Sequence, residues 1–119
     1  MATTTLTSLQ ANNNNGPAYV TLKEGRIQIL QGDNYQAWFT MCRACLIVAN
    51  CYDIAIGVHQ APVGAGALLT WRTQRNTGIK IITSSIELTF LACIEAPLLV
   101  SDLPAIWTEL QTLDRSTNA

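Results

Sequence analysis

A chain of 119 residues with net charge −1 fits one compact domain and leaves little room for a second. Seven basic against eight acidic residues is not the strongly basic balance of a dedicated nucleic-acid binder. Hydrophobic residues make up 49%, ample for a core, whereas charged residues make up 13%, about half the ~25% usual in soluble domains. Part of the apolar surface is therefore expected to stay outside, where it serves a partner.

The opening residues, Met1 to Leu6, have neither a basic segment nor an apolar run, so no secretory signal is read. The longest apolar stretch, Leu88 to Val100, is broken by Glu95 and Pro97 and falls short of the roughly 20 residues needed to span a bilayer. No Asn-x-Ser/Thr sequon occurs. These features predict a soluble cytoplasmic protein without membrane contact, its four cysteines kept as buried thiols rather than disulfides.

Residues 1–17 are rich in Thr, Ser, Gln and Asn and include the run Asn12 to Asn15. They bury too little apolar surface to offset the entropy of ordering, which predicts a disordered arm ahead of one helical domain over 18–119. From 19 to 30, Val20, Leu22, Ile27 and Ile29 alternate with polar residues around Lys23-Glu24-Gly25, the pattern of a short β-hairpin or extended strap. Two strands are marginal alone, so this element must lie against helices. Asp33 and Gln36 give a capping-box-like start to a first helix, with Asn34 the alternative cap. Its apolar stripe is Tyr35, Trp38, Cys42, Cys45 and Ala49, widened by Met41 and Leu46, and Asn50 is its stop.

A short segment from Tyr52 to Ile56 ends at Gly57, and Pro62, Gly64 and Gly66 mark a long, mobile loop. Leu68, Leu69, Ile79, Ile82 and Ile86 suggest a further helix from about Ala67 to Ser85. Gly78 in its interior costs about 1 kcal/mol relative to Ala, and the cluster Ile79, Ile81, Ile82 and Thr83 also fits a strand. Arg72, Arg75 and Lys80 form a local basic excess, balanced later by Glu87, Glu95, Asp102, Glu109 and Asp114, which reads as a solvated helix face. Leu88 to Ile94 makes another short helix ending before Pro97. The last begins at Asp102, an N-cap with Pro104 in the first turn, and turns Ile106, Trp107, Leu110 and Leu113 inward. The expected fold is all-α, a small bundle of four to five short helices packed around Trp38, Trp107 and the isoleucines.

No phosphate-binding loop, nucleophile elbow, His-Glu-x-x-His pair or aspartic-protease half-site occurs. His59, the sole histidine, falls in the loop after Gly57, a poor place to hold a general acid or base. Cys42, Cys45, Cys51 and His59 match zinc in ligand type. Cys42 and Cys45, however, lie on the apolar stripe of a helix, where thiols act as small hydrophobes. The expectation is a non-enzymatic protein with no cofactor and no metal.

The segment Leu30-Gln31-Gly32-Asp33-Asn34-Tyr35-Gln36-Ala37-Trp38 resembles the start of the Gag capsid region of copia-type LTR retrotransposons, which carries a Leu-x-Gly-x-Asn-Tyr-x-x-Trp opening. The likeness continues through Met41, Leu46, Tyr52-Asp53 and Gly57. It resumes at Trp71, at Ile82-x-x-Ser85-Ile86 and at Ala105-Ile106-Trp107-x-x-Leu110, covering about residues 28–113. The resemblance implies a structural motif of Leu30, Gly32, Asn34, Tyr35, Trp38, Trp107 and Leu110 in an N-terminal capsid-like lobe. It implies self-association, or co-assembly with a full-length Gag-like protein, and contact with nucleic acid only weakly or indirectly. The family continues with more helices beyond the point matching Ala119, so the resemblance also implies a domain truncated at its C-terminus. The surface expected to carry the contacts is Trp71, Arg72 and Arg75 with the loop 57–66, which the predicted core does not claim. A helical adaptor binding a different protein is the alternative.

Overall fold

The computed structural model describes residues 17–118, with side chains described through Leu113. The expected arm over residues 1–17 lies, but for Pro17, outside them. Two strands, β1 (Tyr19–Leu22) and β2 (Gly25–Gln28), form an antiparallel hairpin in which Val20 faces Ile27 and Thr21 faces Arg26. Six helices follow: α1 (Tyr35–Val48), α2 (Tyr52–Ala55), α3 (Ala65–Ser84), α4 (Leu88–Cys93), α5 (Glu95–Leu99) and α6 (Leu103–Asn118). The hairpin lies on α1 and buries Ile27, the support that an isolated two-stranded ribbon lacks. α6 packs against α1, α2, α3 and α5.

The fold is the expected helical bundle with a hairpin, but it has six helices where four to five were expected. The excess arises at Pro97, which does not end the helical path. It sits in the first turn of α5, where its missing N–H leaves no bond unmade. Residues 65–84 form a helix and not the alternative strand.

The start of α1 also differs from expectation. Its N-cap is Asn34, the alternative to Asp33, which places Gln36 at the second helical position, out of register for the expected capping box. The Asn34 amide makes no bond forward into the helix. Its Oδ1 accepts from the Gln31 N–H at 2.8 Å, and its Nδ2 donates to Gln28 Oε1 and to the Ile29 carbonyl, each at 2.8 Å. Asn34 thus staples the strap behind the helix, across a turn in which Gly32 takes φ +108°.

Three helices end alike. After α1, the Asn50 N–H bonds the Ile47 carbonyl and the Cys51 N–H bonds that of Leu46; Gly57–Val58 after α2 and Ser101–Asp102 after α5 repeat the pattern. Each is a Schellman turn, with Asn50, Gly57 and Ser101 at φ +60°, +81° and +54°. Serine rarely adopts that conformation, at a cost of about 1–2 kcal/mol. Asp102 then caps α6 as expected, its Oδ1 accepting from the Ala105 N–H at 3.1 Å.

Gly78 has a packing reason. A Cβ there would lie 2.8 Å from Leu103 Cδ2 and 3.2 Å from Cys51 Sγ, both on fully buried residues. The glycine lets α3 approach the α1–α2 turn and the head of α6. Gly78→Ala should therefore destabilise by about 1–2 kcal/mol despite alanine's better helix propensity. Urea unfolding checks this by a lowered midpoint at unchanged slope.

Candidate functional site

The residues singled out in the sequence converge on one buried knot. Leu30 leaves the hairpin and pairs with the segment after α3: its N–H donates to the Ser85 carbonyl at 2.8 Å, and its carbonyl accepts from the Glu87 N–H at 3.2 Å. Trp38, fully buried on α1, donates its Nε1–H to Ser85 Oγ at 2.9 Å, and that hydroxyl donates to the Ile82 carbonyl at 3.0 Å. Ser85 is the buried polar side chain of the described core, and its hydroxyl both accepts and donates a hydrogen bond there.

Around the knot the aromatic rings form a chain. Tyr35 lies against Trp38 and stacks on Phe39, Phe39 stacks on Trp107 at 5.2 Å, and Trp38 and Tyr52 complete the contact with Trp107. Leu110 is buried one turn beyond Trp107. Trp107 Nε1 is buried without a hydrogen-bond partner among the described residues, a cost of about 1–3 kcal/mol set against the ring packing. Phe39 and Tyr52 escaped the sequence-based core because both are only partly buried and lie off the main stripe.

The expected interaction surface is partly assembled. Trp71 and Arg75 line a cleft of about 380 Å³ whose other walls come from the loop at His59 and the α5–α6 turn at Val100 and Leu103. Trp71 Nε1 donates to the His59 carbonyl at 2.9 Å, and the Arg75 guanidinium lies 5.5 Å from the Trp71 ring centre. The His59 N–H in turn bonds the Asp53 carbonyl, so the loop expected to be mobile is pinned at this point. Arg72 is exposed and does not line the cleft. A second hollow, lined by Ile47, Asn50, Tyr52 and Asp53, shares His59. The three Schellman residues thus line two hollows that share His59, and Val100 in the first and Ile47 in the second are exposed.

No protein-family model, curated protein or solved structure matches the chain.

Cys42, Cys45 and Cys51 are buried as expected, but Cys93 is exposed, so the expectation of four buried thiols fails at α4, which has no fully buried residue. Burial pushes the Cys42 thiol far up, an effect only partly offset by its hydrogen bond with Ser85. Burial and then the Glu24 carboxylate raise Cys45, and the same two causes push Cys51 up to about 11. No His, Cys, Asp or Glu cluster among the described residues is arranged to hold a metal ion, and His59 lies in the cleft rather than with the core thiols.

Ser85→Ala should lower stability by about 1–3 kcal/mol by orphaning Trp38 Nε1. In a Trp38→Phe background the same change should cost clearly less, so a double-mutant cycle in urea should return a coupling above about 0.5 kcal/mol. The thiols should separate by reactivity. At pH 8 Cys93 alone should alkylate quickly with iodoacetamide, and the other three only after denaturation, because the thiolate is the attacking form. The folded state holds these thiols protonated above the ordinary 9.0. Stability should therefore fall as pH rises from about 9 toward 11.

Proposed function

We propose that this chain is a non-enzymatic assembly protein of the copia-type Gag kind. Its helical domain corresponds to the N-terminal capsid-like lobe and acts in the cytoplasm by self-association or by co-assembly with a full-length Gag-like protein. The observation that supports this most is the convergence of the three resemblance segments. Leu30 and Trp38 of the opening motif meet Ser85 of Ile82-x-x-Ser85-Ile86, and Trp38 meets Trp107 of the last helix. These residues are spent on holding the fold. None of Leu30, Trp38, Ser85 and Trp107 lines the cleft, which suits a motif that specifies architecture rather than chemistry.

The surface supports the same reading. Exposed apolar side chains at Val58, Val63, Leu69, Leu99 and Val100 are more than a chain this sparingly charged needs in isolation. No helix among the described residues is long and apolar enough to cross a membrane, and the net charge of −1 does not favour strong binding to nucleic acid.

Light scattering behind size-exclusion chromatography, run from low to high protein concentration, tests the proposal. The expected result is a mass that rises with concentration. A mass steady at 13.0 kDa across the range would overturn it and move the function toward an adaptor with a different partner.

A further inference from the structure

Charge is divided unevenly along this chain. From Pro17 to Lys80 there are six cationic side chains and three carboxylates, whereas from Ile81 to Leu113 there are four carboxylates and no cation. No salt bridge joins any two of the described side chains. The two signs are thus left facing solvent instead of neutralising one another inside the molecule.

Each sign is paired with exposed apolar surface. On α3, Leu69 and Arg72 are three residues apart and Asn76 lies a further turn along; all three are exposed, and Leu69 is 67% accessible. On α5, Glu95 and Leu99 are four residues apart and likewise exposed, and Leu99 is 78% accessible. α5 has no fully buried residue and packs on α4 and α6, while α3 packs on α1, α2 and α6. The two stripes therefore sit on separate elements, each with a leucine beside a charge that has no salt-bridge partner among the described side chains.

We infer that the α3 stripe of one copy docks on the α5 stripe of a second copy, Arg72 facing Glu95 and the two leucines closing over each other. This rests on the self-association proposed above and names the surfaces that carry it. A second copy is the occupant because the complement of each stripe, in charge and in apolar content, is present on the same chain. Opposed charges of this kind select the partner and set the register, and the leucines supply the burial.

The test is charge reversal with complementation, read by light scattering over a concentration series. Arg72→Glu and Glu95→Arg should each raise the concentration needed for self-association at least about tenfold, since like charges then face each other. An equimolar mixture of the two should recover association, and higher salt should weaken the wild type. Wild-type-like association of either variant, or a mixture that fails to recover, overturns the pairing while leaving self-association standing. A wild type that stays monomeric overturns both. Thermal unfolding monitored by circular dichroism confirms that each variant is folded; should a reversal unfold the chain, Arg72→Gln and Glu95→Gln carry the test, with a smaller loss expected from each.

Discussion

Ser85 is where the fold closes. Three segments distant in sequence meet at this one residue: the strap through the Leu30 N–H, α1 through the Trp38 indole, and α3 through the Ile82 carbonyl. The site is fully buried, so each donor and acceptor must be matched within the protein or pay a desolvation cost of about 1–3 kcal/mol. Hydrophobic burial around Trp38, Ile81, Ile82 and Leu110 supplies most of the driving force but is indifferent to register. The directional bonds at Ser85 are what select one docking of strap, α1 and α3 over other apolar packings.

With that joint in place, the remaining geometry follows from tight helix endings. Asn50, Gly57 and Ser101 each end a helix in a Schellman turn, and together they line two hollows that share His59. Trp71 ties the intervening loop to α3 through the His59 carbonyl, and Gly78 lets α3 approach Cys51 and Leu103. The consequence for function is a division of labour. The aromatic residues of the resemblance hold the core, while Val58, Val63, Leu69, Leu99 and Val100 are left exposed on the surface.

The hairpin, the extent of α1 and α3, and the Asp102 cap of α6 were legible because each is a local matter of alternation, 3.6-residue periodicity or a short polar side chain at a helix start. The stripe Trp38, Cys42, Cys45 and Leu46 is buried as its spacing requires. The role of Asn34 was not legible. A side-chain amide that caps forward and one that staples backward look alike in sequence, and only the position of Gln28 and Ile29 decides between them. The stop of α4 before Pro97 was legible, but the further helix α5 that carries this proline in its first turn was not, because a proline ends one helix or begins another with equal ease.

The candidate surface was legible in part. Trp71 and Arg75 face one cleft because they are four residues apart on a helix, whereas Arg72 points away from it. The sequence by itself determined the helical class, the inward aromatic residues, the protection of three thiols and the segregation of acidic charge beyond Ile81, all of which are sums over local choices. Only the tertiary structure decided that Ser85 joins the strap to two helices, that Gly78 marks a close approach, and that the exposed stripes lie on separate elements. Those are contacts between residues as far apart in sequence as Leu30 and Ser85, and a pattern of neighbours along the chain carries no record of which distant partner fills a given hydrogen bond or gap.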